Sequence, residues 1–164
     1  MVSVNELRCE LDYYPETGVF LWACSGRGQF KRKGAKAGHL TDEGYIRVKV
    51  CGSEQYAHRL AWLYVYGELP KDQIDHINGN RSDNRIVNLR EATRAQNNRN
   101  SVGHPTRRMH SQHKGVTRTK SNKWKAQIRV CGKNLNLGQF TTEEQAAESY
   151  MRAAAENFGE FAKW

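Results

Sequence analysis

Apolar and polar positions along the chain change period several times, and each change marks an element. Val4, Leu7 and Leu11 recur at helical spacing behind Ser3, and Ser3 with Glu6 has the make-up of a capping box. They predict a helix over residues 3–12. The turn-forming run Tyr14-Pro15-Glu16-Thr17-Gly18 leads into a short strand, Val19-Phe20-Leu21-Trp22. Residues 44–50 alternate, with Ile46, Val48 and Val50 on one side, as a half-buried strand does. Cys51-Gly52-Ser53 reads as a turn. Ala57, Leu60, Ala61, Leu63 and Tyr64 return to helical spacing, which predicts a helix over 55–66 with Gly67 in the stop position. Beyond Leu69-Pro70 the pattern is strand, loop, strand, helix. The strands are 74–76 and 89–93, one helical turn is expected within 82–88, and Thr93 with Gln96 caps the helix.

Residues 99–114 have almost no apolar content, and the period shortens after them. Residues 115–119, 123–130 and 134–138 read as strands, with a turn at Cys131-Gly132-Lys133. Thr141-Thr142-Glu143-Glu144 caps a helix running to about residue 157, with Ala146, Ala147, Tyr150, Met151, Ala154 and Phe158 as its apolar face. Strict alternation turns Trp124, Ala126, Ile128, Val130, Leu135 and Leu137 toward that helix. It turns Thr117, Thr119, Lys125, Gln127, Arg129, Asn134 and Asn136 away. The expected class is α+β in two domains, 1–100 and 113–164, joined by a basic linker over 101–112. The second domain is a three-stranded antiparallel sheet packed on one helix.

Charge adds a partner to this picture. The chain of 164 residues carries a formal +9, which points to a polyanion such as nucleic acid. Residues 1–91 are nearly balanced, with 13 basic and 12 acidic side chains, whereas residues 92–142 hold 11 basic and no acidic ones. A carboxylate there would repel phosphate, so its absence suits a DNA-facing surface. Arg107 and Arg108 of the linker, with the outward residues of the sheet, are the expected DNA contacts. The basic, glycine-rich segment 26–36 has two readings, a loop resting on phosphates or a solvated loop. The cysteines Cys9, Cys24, Cys51 and Cys131 form no CxxC pair, so they argue against a zinc ribbon and are expected as packing residues. No leader pattern and no apolar run near 18 residues is present. The expectation is a cytoplasmic monomer with double-stranded DNA as partner, no membrane association and no evident protein partner.

The chemistry concentrates in residues 74–97. Hydrolysis of a phosphodiester needs a nucleophile, a charge clamp on the phosphoryl oxygens and relief for the leaving oxygen. Asp75 and Asn97 offer one anionic and one neutral oxygen to a hard divalent ion, with Mg²⁺ expected before Mn²⁺ or another ion. His76 has the side chain to take a proton from water near neutral pH. Neighbours on a strand point to opposite sides, so Asp75 can face a metal while His76 faces the attacking water. Asn88 has two readings, orienting the imidazole or tying down the loop. His58 is either a structural histidine or a phosphate or supporting contact, and Arg59 and Arg85 are further candidates of the latter kind. His104, His110 and His113 have no standard metal-site spacing.

Asp75-His76-Ile77-Asn78-Gly79, Asp83-Asn84-Arg85, Asn88-Leu89-Arg90, Ala92-Thr93 and Gln96-Asn97, with Ala57-His58-Arg59-Leu60-Ala61 before them, resemble an HNH endonuclease of the phage homing type. The resemblance covers roughly residues 12–100. It implies a ββα-metal motif with Asp75 and Asn97 as metal ligands, His76 as general base and Asn88 as the motif's structural Asn. Asn97 stands where other members have His. The C-terminal part resembles an AP2 DNA-binding domain through Gly115-Val116, Lys123-Trp124, Ala126, Ile128-Arg129, Leu137-Gly138, Phe140, Ala146-Ala147, Tyr150, Ala153-Ala154 and Phe158-Gly159. Plant members contact bases through arginines and tryptophans. Here Thr117, Thr119, Ser121, Asn134 and Asn136 occupy those positions and only Arg129 is kept, so a plant-type target does not transfer. Together the resemblances imply a metal-dependent DNA endonuclease that leaves 5′-phosphate and 3′-hydroxyl ends, acting in the host cytoplasm if phage-encoded. The alternative is a non-catalytic DNA-binding regulator that retains the HNH fold.

Overall fold

The computed structural model describes residues 2–26, 31–100 and 111–162. The chain divides into two compact units, Met1–Arg94 and Ala95–Trp164. Arg107, Arg108, His104 and His110 lie outside the described residues. Among the described residues, no helix is long and apolar enough to cross a membrane.

The first unit opens with helix α1 (Val4–Glu10), whose Ser3 cap and Glu6 side chain form the reciprocal capping box. The helix ends earlier than the sequence predicts. Leu11–Tyr14 is strand β1, paired antiparallel with β2 (Val19–Trp22) across the Pro15–Gly18 turn. A four-residue strand carries too few alternations to stand out beside a capped helix that shares Leu11. Strands β3 (His39–Leu40), β4 (Ile46–Val50) and β5 (Ser53–Tyr56) form a second antiparallel sheet in that order. Helix α2 (Ala57–Tyr66) follows directly and stops at Gly67, whose φ of 80° is left-handed. The predicted start at residue 55 gives way to β5, because pairing with β4 satisfies the backbone there. Strands β6 (Gln73–His76) and β7 (Leu89–Ala92) pair antiparallel, separated by a polar loop that ends in a 3-10 turn, Ile86–Asn88. Leu7, Leu11, Phe20, Val48, Leu60, Ile74 and Leu89 belong to one buried core, which ties α1, β1, β2, β4, α2, β6 and β7 together.

Helix α3 (Arg94–Asn100) begins at the boundary between the units. The second unit continues with β8 (Val116–Arg118), β9 (Trp124–Val130) and β10 (Lys133–Phe140), an antiparallel sheet with β9 central. Helix α4 (Glu143–Phe158), capped by the Thr142 hydroxyl, packs on it through Ala146, Ala147, Tyr150, Ala153 and Ala154. Met151 is only half-buried and joins neither core cluster, its place on the packed face being taken by Ala153.

One expectation needs correction. The cysteines are not core residues: Cys9, Cys51 and Cys131 are exposed and Cys24 is half-buried. Cys51-Gly52 and Cys131-Gly132 each form a two-residue hairpin loop with both residues at positive φ, as a type I′ turn requires. Leu135 shares the helix-facing side with its cross-strand partner, the buried Ile128, but is 44% exposed, so the cover provided by α4 stops short of it.

Candidate functional site

The backbone delivers Asp75 and His76 in an unusual setting for polar side chains. Ile74, Asp75 and His76 are consecutive and all buried, so β6 is enclosed on both faces. A buried charge must be paired. Asp75 sits directly opposite Arg90 on β7, and the two form an ion pair. Arg90 Nε donates to Asp75 Oδ2 at 3.0 Å, and Nη2 stands 2.9 Å from the same oxygen. Both contacts from Arg90 converge on Oδ2 of the carboxylate.

His76 projects to the other side. Its Nε2 lies 3.4 Å from Oδ1 of the buried Asn84. The Asn84 amide is oriented by its own Nδ2, which donates to the Ser82 carbonyl at 3.1 Å. An oxygen therefore faces the ring, so Nε2 carries the hydrogen and Nδ1 is the basic nitrogen. Burial lowers the His76 pKa from its ordinary value, partly countered by Asn84 and by the charges of Asp75 and Asp83. The imidazole is neutral at physiological pH, the state a general base requires.

Asn84 is itself fixed from the N-terminal hairpin. The Tyr13 hydroxyl donates to the Asn84 carbonyl at 2.7 Å, and Tyr13 stacks on Phe20 with centroids 4.7 Å apart. Gly18 approaches so closely that a Cβ there would lie 2.4 Å from Arg85 N. Asn88, also buried, bridges the two ends of the loop. Its Oδ1 accepts from Asn78 N at 3.0 Å, and its Nδ2 donates to the Asp83 carbonyl at 2.8 Å. Of the two readings, these bonds are those of a loop tie. Asp83 continues the network, accepting from Asn78 Nδ2 and from Arg85 Nε and Nη2 at 2.8, 2.8 and 2.6 Å. Arg85 is thus bound to Asp83 within the loop. Those bonds hold the Asp83 pKa down to about 2.

Rings close the other side of His76. His58 of α2 packs edge-on against it with centroids 5.1 Å apart, and Tyr56 stacks on His58 at 5.4 Å. Tyr45 touches both imidazoles, at 5.5 Å from His58 and 6.1 Å from His76. Arg81 lies over Tyr45 and Arg47 over Tyr56, at 5.0 and 4.6 Å. His58 Nδ1 is buried without a hydrogen-bond partner among the described residues. Burial, then the neighbouring His76 and Arg59, pushes its pKa down to about 3. Arg59 is half-buried beside it.

Asn97 is half-buried on α3 and belongs to the second unit, so the centre built by the first unit is described without it. A hard divalent ion takes oxygen ligands and keeps much of its water, often held by one or two carboxylates plus substrate phosphate. The buried Asp75 carboxylate fits that role. No group of three His, Cys, Asp or Glu able to hold an ion occurs among the described residues, so a closed, all-protein site of the structural-zinc kind is not what they form.

In the second unit, opposed residues of neighbouring strands share a face. The register aligns Thr117, Lys125 and Gln139 across the three strands, then Gln127 with Asn136 and Arg129 with Asn134. Gln139 is absent from the sequence-derived set because a bulge intervenes. Register shifts between Asn136 and Gly138, leaving Leu137 as the extra residue and reversing the alternation beyond it. Asn136 Oδ1 accepts from Gly138 N across that bulge at 3.3 Å. The Thr119 hydroxyl is engaged with Lys123 and Ser121 in closing the β8–β9 turn. Tyr13, Tyr45, Asn84 and Arg90 were likewise missed at the first unit's centre. Only Arg90 had a usable signal, its register opposite an acid on the paired strand.

Comparison with known proteins agrees with this geometry. Residues 55–99 match the sequence profile of a family described as HNH endonuclease. An uncharacterized HNH endonuclease of Acanthamoeba polyphaga mimivirus is 35% identical over 125 residues, which is 76% of this chain and 64% of that protein. The chain therefore spans under two thirds of that relative's length. Over residues 55–99 the chain is thus similar to HNH endonucleases, and both similarities are to proteins described as endonucleases.

Proposed function

We propose that the protein is a metal-dependent DNA endonuclease of the homing type, with the second unit acting as an AP2-like sheet that positions it on double-stranded DNA. The observation that carries the reading is the pairing of Asp75 and His76 on opposite faces of one buried strand, each held by its own partner. His76 is the general base: Asn84 fixes its ring, and the neutral Nδ1 accepts a proton from the attacking water. Asp75 holds the divalent ion, Mg²⁺ in the first instance, while Arg90 keeps its carboxylate aligned. Asn97 is taken as the second oxygen donor on the strength of the sequence pattern alone. When bound, the ion supplies charge for the phosphoryl oxygens and for the departing 3′ oxygen. The 5′-phosphate and 3′-hydroxyl products follow from water attacking phosphorus with loss of that oxygen. Asn88 supports the site by holding the loop, and the sheet contributes Thr117, Lys125, Gln127, Arg129, Asn134, Asn136 and Gln139 as its DNA-facing residues.

The test is incubation of supercoiled and linear DNA with the full chain in Mg²⁺ or Mn²⁺, with EDTA as control. Cleavage is expected in either metal and none in EDTA. His76→Ala is expected to lower the rate by about 10²-fold or more while DNA binding persists. Absence of cutting by wild type across metals and salt would favour the regulator reading, and wild-type cutting by His76→Ala would remove the assigned base.

A further inference from the structure

A cleft on the first unit, beside the β3–β5 sheet, takes no part in the chemistry above. Its volume is about 700 Å³ and its lining includes Trp22, Arg32, Lys36, His39 and Lys49, with no carboxylate. The side chains of Arg32, Lys36 and Lys49 are exposed and have no hydrogen-bond or ion-pair partner among the described residues. Their neighbours are different. Lys31 is paired with Glu10 at 2.7 Å and Arg47 with Glu54 at 2.9 Å, and Glu54 also stands 3.6 Å from His39. The nearby carboxylates are therefore engaged by other cations, including Glu54, which lies across from Lys49 in the β4–β5 register but is bonded to Arg47, and three positive charges without an ion-pair partner among the described residues face one opening.

The cleft is not isolated. Lys36, Gly38 and His39 also line an adjoining cleft of about 430 Å³, whose lining includes Ser82 and Asn84. Asn84 is the residue that touches His76. The groove of unpaired cations thus lies beside a cleft lined by the residue that touches the base, the two sharing Lys36, Gly38 and His39 as walls. The Trp22 ring is 8% exposed and covered by Lys31 Nζ at 4.8 Å, so it is no platform for a stacked base. The chemistry on offer is charge for a backbone.

We propose that this groove holds the phosphodiester backbone of the DNA strand flanking the cut, with Arg32, Lys36 and Lys49 on its phosphates. The inference rests on the nuclease reading and adds a second DNA contact surface on the cutting unit itself. Phosphate contacts set register without reading sequence. Each one also releases counterions, which makes it measurable.

The experiment measures affinity of the full chain for a labelled mixed-sequence duplex in EDTA across a salt series, then steady-state cleavage in Mg²⁺. The Arg32→Ala/Lys36→Ala/Lys49→Ala variant is expected to flatten the plot of log affinity against log salt by roughly 0.9 for each phosphate it no longer neutralises. Its KM should rise by more than its kcat falls. Arg152→Ala, which removes an exposed cation of α4 paired with Glu148, should keep the wild-type slope. If the triple variant does not melt like wild type, Lys36→Glu at an exposed site carries the same comparison. Wild-type slope and KM in a folded variant, with wild type still cutting, would overturn the groove alone. Wild type that binds duplex without cutting removes the nuclease reading, and the slope comparison still decides the groove. Wild type that binds no duplex sinks both.

Discussion

Individual side chains in the 76–90 region are held by partners that are themselves held. Asp83 is the clearest case. Its pKa of about 2 in the folded chain lies below the ordinary 3.8. A depressed carboxylate contributes stability that is fully present above the unfolded pKa and is lost as pH falls through the folded one. The loss attributable to Asp83 therefore runs from about pH 4 down to about pH 2. Asp83→Asn should be less stable than wild type at neutral pH and show a flatter decline over that window. Equilibrium denaturation at a series of acid pH values measures it, and an unchanged slope would mean that Asp83 is not paired as described. Asn88 makes a different prediction. Asn88→Ala strands the Asn78 N–H and the Asp83 carbonyl, so chemical denaturation should show a loss of about 1–3 kcal/mol. Wild-type stability in that variant would show that water replaces both bonds.

Between elements, the hairpin of β1 and β2 acts as a bracket for the polar loop. Tyr13 reaches the Asn84 carbonyl, and Gly18 lies against the Asn84–Arg85 backbone. Gly18 has φ of 71°, and a Cβ would also meet Asn84 C at 2.5 Å. Gly18→Ala therefore combines backbone strain with a clash against main chain, and neither side has a flexible end to give way. A cost of at least about 1 kcal/mol is expected, together with slower cleavage, because the displaced backbone carries Asn84. A thermal melt and a single-turnover assay read the two effects. Unchanged values in both would place the loop elsewhere than against the hairpin. In the second unit the bulge at Leu137 has the comparable role. It swaps the outward residue from Gly138 to Gln139 and turns Phe140 inward to the core beside Val116 and Ala126.

At the scale of the molecule, charge is placed unevenly along the chain. Residues 92–142 hold 11 basic and no acidic residues. The sheet in that stretch presents Lys125 and Arg129 among neutral hydrogen-bonding side chains on its outer face, as groove reading by strands requires. Arg129 is exposed and only lightly held, Nε donating to the Gly132 carbonyl at 3.3 Å. Arg129→Ala should weaken duplex binding and reduce the salt slope by about 1 if it meets a phosphate. If it meets a base, it should instead relax preference at one position by about 1–3 kcal/mol. Titrations of duplex variants in graded salt separate these outcomes, and full wild-type affinity would remove Arg129 from the interface.

Sequence alone determined the elements whose signals are local. The Ser3 and Thr142 caps, the Gly67 stop, the Cys-Gly hairpin turns and the strand–loop–strand–helix order around Asp75 and His76 each depend on residues a few positions apart. It also displayed the dense run of Asp, His and Asn that made the region a candidate for phosphodiester chemistry. Tertiary structure alone decided what those residues touch. Tyr13 meets Asn84 across 71 positions, and Arg90 meets Asp75 across 15. The imidazoles of His58 and His76 pack together although one comes from a helix and the other from a strand. The bulge at Leu137 leaves no mark in the pattern, since Leu137 fits an inward strand position equally well without it. The physical reason is common to all of these. Alternation and capping are energies of neighbours in the chain, whereas the tautomer of His76 and the pairing of Asp75 are set by groups that only folding brings within bonding distance.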